Sequence, residues 1–197
     1  MKVIKTKQIC FHEEKGFIKE LDLKKHNDWI EFDYLQHQTK LTNWNQRIVN
    51  DILRSKGTHQ IFGYFIQTNY GRNICLGTIW IRKKVPNAHV VHFMVDPACQ
   101  HSGIGQKLMD YTINQLQVED ISALTLEVRI NNTPAMRFYE KNQFEKQMVK
   151  LRYYDSFNPL KYILSIKNIV RKTLYDSERT YNTTDALEMK KIIPERK

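Results

Sequence analysis

Residues 95–106 read VDPACQHSGIGQ and lie where a predicted strand ends and a predicted helix begins. The segment is a polar loop with two closely spaced glycines, Gly103 and Gly105. Because glycine lacks a Cβ atom, a ligand can approach the backbone closely there, and the amides and positive dipole end of a following helix favour phosphate oxygens. The stretch therefore indicates an anion cradle, although two glycines before a helix also fit an ordinary tight turn.

The elements predicted around this loop are those of a mixed α/β sheet. The β-rich runs before the loop are separated by turn residues and indicate an antiparallel meander, and strands and helices alternate after it. The predicted order is strands at 3–11 and 17–23, two helices within 25–56, strands at 61–67, 74–83 and 88–95, a helix at 104–118, a strand at 122–129, a helix at 134–142 and a strand at 145–154.

The composition is that of one globular domain. The chain has 197 residues, of which 41% are hydrophobic and 26% charged, which excludes disordered, collagen-like and low-complexity classes. Its net charge of +10 attracts anionic partners without choosing among nucleic acid, membrane and a phosphorylated cofactor. The charges are dispersed and no nucleic-acid motif accompanies them, so no nucleic-acid partner is predicted.

Targeting and metal-binding signals are absent from the sequence pattern. The longest uncharged apolar stretch, residues 61–66, is far shorter than the ~20 residues that span a bilayer, and the first 14 residues lack the apolar core of a secretory signal. Cys10, Cys75 and Cys99 are odd in number and widely spaced. This pattern favours a reducing, cytoplasmic compartment and no zinc site.

Sequence blocks on both sides of residue 110 share an order found in a known superfamily. Residues 100–105 (QHSGIG) fit a (Gln/Arg)-x-x-Gly-x-(Gly/Ala) signature, and LEVR at 126–129, Asn132 and Tyr139 follow. These blocks resemble the GNAT superfamily of N-acetyltransferases. The closest subfamily resemblance is to the ribosomal-protein alanine N-acetyltransferases, which also share a strand ending like Arg152-Tyr153-Tyr154. The good match covers residues 88–154.

The resemblance implies a fold and a cofactor. The implied fold is a mixed, mostly antiparallel sheet of about seven strands flanked by helices, with acetyl-CoA in a cleft between splayed strands 4 and 5 and with no metal. The pantetheine arm would pair with backbone on the strand before the loop, and the pyrophosphate would sit on amides of the loop. The implied cofactor residues are Phe93, Met94, Val95, His101, Ser102, Gly103, Ile104, Gly105, Gln106 and Asn132.

Two side chains suit acetyl transfer to an amine. An amine attacks only when unprotonated, so Glu127 would accept its proton directly or through water, and Tyr139 would protonate the departing thiolate. Glu127 could instead pair with Arg129 on the surface, and Tyr139 could be ordinary core. His89 and His92, on the strand before the loop, remain alternative bases.

Two features depart from the superfamily pattern. At residues 142–144 the chain reads NQF where a Gly usually precedes Phe, so Asn142 or Gln143 should take the left-handed conformation. The final motif, DALEM at 185–189, comes thirty residues after Tyr154. Residues 155–184 are therefore interpreted as an insertion in the last hairpin of a single domain spanning 1–197.

The insertion carries an apolar periodicity typical of a helix. Tyr162, Ile163, Ile166, Ile169, Val170 and Leu174 fall on one face at about 100° per residue. The pattern predicts an amphipathic helix at about 159–175. The helix would pack on the domain or cover the amine site, and failing these it would form a dimer contact or lie on a membrane surface.

The sequence thus predicts an acetyl-CoA-dependent N-acetyltransferase. The acceptor would be a protein N-terminal α-amine, a lysine, a polyamine or another small amine, and the protein a monomer or homodimer. The alternative is a non-catalytic acyl-CoA-binding or regulatory module on the same fold. The presence of both Glu127 and Tyr139 favours the enzyme, because a binding module would need only the loop and the strands.

Overall fold

The computed structural model describes residues 16–40, 44–154, 172–177 and 180–194. Eight strands within these residues form one sheet with helices on both faces. The strands are β1 (Phe17–Glu20), β2 (Thr58–Gln67), β3 (Asn73–Lys84), β4 (Asn87–Val95), β5 (Ala123–Arg129), β6 (Glu145–Lys150), β7 (Lys172–Leu174) and β8 (Ala186–Ile192). The helices are α1 (His26–Thr39), α2 (Gln46–Leu53), α3 (Ile104–Val118) and α4 (Thr133–Lys141), with a 3₁₀ turn at Pro97–Cys99.

The sheet is mixed and mostly antiparallel, as predicted. Its spatial order is β1-β2-β3-β4-β5-β8-β6-β7, and only β4 and β5 run parallel. Their pairing begins at Asn87 with Ala123 and ends at Val90 with Leu126, although both strands continue beyond it. The two central strands therefore diverge and leave a fork in the middle of the sheet.

A β-bulge explains why the fork opens where it does. In the β3–β4 ladder, Trp80 pairs with His92 and Ile81 pairs with Val90, so Val91 is an extra residue on β4. A bulge bends its strand and increases the local twist. Because Val91 directly follows the last residue that pairs with β5, the bulge turns β4 away from β5 at this point.

Alternation along β5 separates two hydrophobic cores. Leu124, Leu126 and Val128 point into the core that contains α3 and α4 side chains. The opposite face carries the core built around Phe32 of α1 and Val49 of α2. Regular alternation therefore places Glu127 on the face opposite α3, as the sequence predicts.

The last hairpin differs from the sequence prediction at both of its arms. The strand predicted at 145–154 ends at Lys150, and Arg152 takes a left-handed φ of 53°. The helix predicted at about 159–175 is wrong at its end, because residues 172–174 form β7 and pair antiparallel with residues 148–150. Leu174, assigned to the apolar face, is exposed. The rest of that helix, and the strand predicted at 3–11, lie outside the described residues.

Asp185 connects the segment that follows β6 with the segment that precedes β8. Its carboxylate oxygens accept hydrogen bonds from the amides of Arg152 at 2.7 Å and Asn182 at 2.8 Å. The amide of Tyr154 also donates to the carbonyl of Thr184 at 2.9 Å. These contacts hold the segment after β6 next to the segment before β8.

No helix in the part of the chain that the structure describes is long and apolar enough to cross a membrane.

Candidate active site

A cleft of about 530 Å³ lies beside the fork, between the end of β4, the loop after it and α4. Most of the residues predicted to hold a cofactor line it. They are Phe93, Met94, Val95, His101, Gly103, Gly105, Gln106 and Asn132, and Tyr139 lines it as well. Two predicted residues belong to the same loop but point elsewhere. Ser102 donates from Oγ to the carbonyl of Cys99 at 2.6 Å, and Ile104 is buried in the α3 core.

The loop is a compact turn that delivers the first amides of α3 to the cleft. Asp96 Oδ1 accepts from the amide of Ala98 at 2.8 Å and so fixes the 3₁₀ turn. The first main-chain hydrogen bond of α3 runs from Lys107 N to Gly103 O at 3.0 Å. The amides of residues 104–106 precede this bond and have no intrahelical acceptor, which makes the helix start an anion-binding geometry.

Of the two glycines, Gly103 is the one that the backbone requires. Its φ of 85° is left-handed, and a Cβ atom built there would meet no described atom within 4 Å. Gly105 is helical, and a Cβ atom there would lie 3.7 Å from Phe138 and Val95, which is an ordinary contact. Gly103 therefore combines a left-handed turn with open space beside its Cα atom, in the wall of the cleft.

The cysteine beside the loop is not a free thiol. Cys99 is buried and disulfide-bonded, whereas Cys75 is a buried free thiol whose pKa is raised by burial. Neither residue has the exposed, activated character of a nucleophilic cysteine.

Helix α4 carries Tyr139 to the wall of the cleft. Asn132 begins the helix by accepting a hydrogen bond from Ala135 N at 3.3 Å. Tyr139 packs against Phe138 and Phe144, with ring centroids 5.5 Å and 5.6 Å away, and is 9% exposed. Burial raises the pKa of Tyr139, so the side chain is a neutral phenol, able to donate a proton, over the physiological pH range.

The C-terminal end of α4 depends on contacts that the sequence did not predict. Gln143 takes the left-handed conformation, with a φ of 64°, in place of the glycine that is usual there. Lys191 Nζ donates to Asn142 O and to Gln143 Oε1, both at 3.0 Å, and caps the helix end with a positive charge. Asn142 and Gln106 exchange side-chain hydrogen bonds of 2.7 Å and 3.2 Å, which ties α4 to α3.

Glu127 lies at the fork rather than on the wall of the cleft. It is the first residue of β5 beyond the last pair with β4. Its Oε2 lies 2.9 Å from His89 Nε2, and its Oε1 contacts Lys150 Nζ. Burial opposes ionisation of Glu127, but the charges of His89 and Lys150 outweigh burial and hold the pKa of this carboxyl well below its usual range.

The surface pairing that the sequence offered for Glu127 is wrong. Arg129 lies over the ring of Tyr154, 3.9 Å from its centroid, and donates to Thr183 O at 3.5 Å. Glu127 is therefore a buried carboxylate with two long-range partners, not a surface group paired along its own strand. Spacing along β5 alone could not reveal these partners, since they come from β4 and β6.

The two strand histidines have different surroundings. His92 packs against Phe32 and Trp44, with ring centroids 6.1 Å and 5.1 Å away, on the α1 side of the sheet. Burial lowers the pKa of His92 to about 4. His89 faces Glu127 with Nε2 and Thr125 with Nδ1, so both of its ring nitrogens are engaged.

Comparison with known proteins relates this architecture to one family. The family described as acetyltransferase (GNAT) matches residues 23–144. The [Ribosomal protein bS18]-alanine N-acetyltransferase of Haemophilus ducreyi is 42% identical over 67 residues, or 34% of this chain and 46% of that protein. The Escherichia coli K12 protein of the same name is 33% identical over 67 residues, or 34% of this chain and 45% of that protein. The matched segment thus spans about half the length of these curated relatives.

Solved structures share the fold over nearly the whole chain. The crystal structure of the ribosomal-protein-S18-alanine N-acetyltransferase from Escherichia coli aligns with a TM-score of 0.66 at 18% identity, covering 93% of this chain and 97% of that one. The crystal structure of Ard1 from Thermoplasma volcanium aligns with a TM-score of 0.64 at 22% identity, covering 91% of this chain and 99% of that one. A chain from the crystal structure of the NatC complex bound to Gag peptide and CoA aligns with a TM-score of 0.64 at 16% identity, covering 91% of this chain and 99% of that one. The chain belongs to the acetyltransferase (GNAT) family.

Proposed function

We propose that this protein transfers the acetyl group of acetyl-CoA directly to a primary amine. The observation that carries the proposal is the cleft beside the fork, with the Gly103 turn in its wall and the Tyr139 phenol facing the same space. An anion-binding helix start and a proton donor in one cleft are what a phosphorylated thioester cofactor and its thiolate leaving group require.

The residues present fit acetyl-CoA. Past Val90, β4 keeps its β3 partner but has no pairing with β5, so its outward peptide groups at Phe93 and Val95 can hydrogen-bond the amides of a pantetheine arm. The start of α3 offers amides and open space at Gly103 for the pyrophosphate. When bound, acetyl-CoA supplies an acetyl group activated as a thioester.

Tyr139 is proposed as the general acid. As the carbon–nitrogen bond forms and the carbon–sulfur bond breaks, its hydroxyl gives a proton to the thiolate. The proton that the acceptor nitrogen loses returns to the phenolate through solvent, so the reaction yields an amide and a free thiol without a covalent enzyme intermediate. Because burial raises the pKa of Tyr139, the phenol is fully protonated before each turnover.

Glu127 is proposed as the group that receives the acceptor amine. The sequence suggested that it removes the amine proton, but a carboxylate whose pKa is held low by two cations is a weak base. It remains a strong hydrogen-bond acceptor. We therefore propose that Glu127 holds the amine, or a water molecule beside it, and that the proton leaves through solvent.

A protein N-terminal α-amine is the first acceptor to test. The curated relatives are named as alanine N-acetyltransferases of a ribosomal protein, which supports this class over lysine, polyamine or other small amines. We also propose that the insertion at 155–184 borders the acceptor, because Asp185 fixes its ends beside the strands that carry Lys150 and Glu188.

The test is acetyl-CoA-dependent thiol release against a panel of peptides, lysine peptides, polyamines and small amines, with each product identified by mass spectrometry. The proposal predicts acetylated product from at least one acceptor and its loss in Tyr139→Phe. Tight acetyl-CoA binding without turnover on any acceptor would instead indicate a non-catalytic acyl-CoA-binding module.

A further inference from the structure

Four ionisable side chains from four different strands meet at the fork. His89 of β4 and Lys150 of β6 contact Glu127 of β5, and Lys150 Nζ also lies 2.7 Å from Glu188 Oε2 of β8. Their side chains are 17%, 13%, 8% and 23% exposed, in that order. We call these residues the fork cluster. Ionisable groups are rarely buried without a partner, and here each of the four side chains has its partner within the cluster.

The strand register makes Lys150 necessary to the cluster. Glu127 and Glu188 are direct partners in the antiparallel β5–β8 ladder, so two carboxylates stand side by side on one face. Like charges directly opposite each other on a sheet are destabilising. The Lys150 ammonium contacts both carboxylates and offsets their repulsion. Lys150 is therefore a bridge between the two acids rather than the partner of one.

Both ring nitrogens of His89 are engaged at the fork. Nδ1 lies 2.9 Å from Thr125 Oγ1, and that hydroxyl also contacts Ala88 O at 3.3 Å. The other ring nitrogen, Nε2, lies 2.9 Å from the Glu127 carboxylate, which can only accept. Nε2 therefore donates to Glu127, and His89 holds one oxygen of that carboxylate in place.

The fork cluster fixes the position of Glu127 but leaves its carboxylate able to accept further hydrogen bonds. Each oxygen of Glu127 has one hydrogen-bond donor, His89 Nε2 on Oε2 and Lys150 Nζ on Oε1. With two lone pairs per oxygen, each keeps one acceptor direction for a ligand. Glu127 also sits at the point where the pairing of β4 and β5 ends and the two strands separate.

We propose that Lys150 is a positioning residue for the transfer reaction: by bridging Glu127 and Glu188 it holds the Glu127 carboxylate ionised at the fork, where that carboxylate anchors the acceptor amine. The inference rests on the proposed function and extends it to two residues, Lys150 and Glu188, that the sequence analysis did not assign to the site. Lys150 acts through Glu127 and on acceptor binding. Acetyl-CoA binding, which depends on the Gly103 turn, is independent of it.

Removing the Lys150 charge should weaken acceptor binding and leave acetyl-CoA binding unchanged. Lys150→Met keeps a side chain of similar length but leaves Glu127 beside Glu188 without a bridge, so the pKa of Glu127 rises and its position loosens. We expect kcat/KM for the acceptor to fall about tenfold or more, mainly through KM, while acetyl-CoA affinity is unchanged. Lys150→Arg, which keeps the charge, should recover at least part of the loss.

A neighbouring lysine provides the control. Lys146 lies on the same strand and forms an ion pair of 2.7 Å, but with Glu140 of α4, away from the fork. Lys146→Met should leave both acceptor kinetics and acetyl-CoA affinity at wild-type values. If Lys150→Met does not fold, Lys150→Gln removes the charge while keeping a hydrogen bond to Glu127, and the same expectations apply.

The decisive readouts are acceptor kinetics and a carboxyl titration. Carbon NMR of labelled glutamate, with the Glu127 signal assigned by its loss in Glu127→Gln, should show that Glu127 titrates below the ordinary range in the wild type and at higher pH in Lys150→Met. An active wild type whose acceptor KM and Glu127 titration are both unchanged in Lys150→Met would overturn the role of Lys150 alone. A wild type that binds acetyl-CoA but acetylates no acceptor would overturn the proposed function and this inference together.

Discussion

Replacing Gly103 by valine should weaken acetyl-CoA binding far more than it destabilises the fold. The backbone at Gly103 has a φ of 85°, and a non-glycine residue in the left-handed region costs about 1–2 kcal/mol. The new Cβ atom meets no described atom within 4 Å, so no steric clash inside the protein adds to this cost. For a chain of this size, the loss corresponds to a fall in Tm of roughly 2–8 °C.

The effect on the cofactor follows from the same open space. With the pyrophosphate at this turn, as proposed, a valine side chain would occupy the open space beside it and would remove hydrogen bonds from the helix start. Hydrogen bonds to a charged group contribute about 1.5–3 kcal/mol, so the Kd for acetyl-CoA should rise roughly 10- to 100-fold. Gly105→Ala is the matched control, because its Cβ atom makes only ordinary contacts at 3.7 Å and alanine favours a helix by up to about 1 kcal/mol.

Isothermal titration calorimetry and thermal unfolding of the two variants test this reasoning. Gly105→Ala should be as stable as the wild type or more so and should keep its affinity, which agrees with a signature that allows Gly or Ala at this position. A folded Gly103→Val protein with wild-type affinity for acetyl-CoA would refute the assignment of the pyrophosphate to this turn.

Three further variants test the chemistry and the supports of the site. Tyr139→Phe keeps the ring packing but removes the proton donor, so kcat should fall about 10²-fold with acetyl-CoA affinity unchanged; full turnover with chemistry rate-limiting would exclude Tyr139 as the acid. His92 has its pKa lowered from 6.5 to about 4, so protonation favours unfolding and stability is lost below pH 6.5. Between pH 7 and 5, urea unfolding should lose about 2 kcal/mol more in the wild type than in His92→Gln, and equal losses would contradict this. Lys191→Met removes the cap at the end of α4 and should lower the free energy of unfolding by about 1 kcal/mol and reduce kcat. An unchanged kcat would show that the cap does not influence Tyr139.

The parts of the fold that sequence predicts are those governed by local pattern. The loop at 95–106 has its signal in contiguous residues, and alternation along 123–129 correctly gives the face of Glu127. The sequence also predicted a left-handed backbone at one of the two residues before Phe144, because a helix commonly ends in that conformation even when no glycine is present. These features depend on neighbours in the chain and can be predicted without the rest of the fold.

The parts that sequence did not predict depend on pairing between distant segments. The bulge at Val91 is visible only in the register of β3 against β4. Lys150 and Glu188 meet Glu127 because three strands align, and single side chains in polar strands carry no signal of that contact. The end of the helix predicted at about 159–175 was wrong, because periodicity cannot show that residues 172–174 pair with the edge of β6.

The most direct test of acetyl transfer follows an isotopically labelled acetyl group from acetyl-CoA to a peptide amine by mass spectrometry, with wild type and Tyr139→Phe compared at saturating cofactor. We expect the label on the peptide, with one thiol released per amide formed, and we expect Tyr139→Phe to bind acetyl-CoA normally but to transfer about 10²-fold more slowly. A wild-type protein that binds acetyl-CoA yet leaves every peptide and amine unlabelled would contradict this expectation.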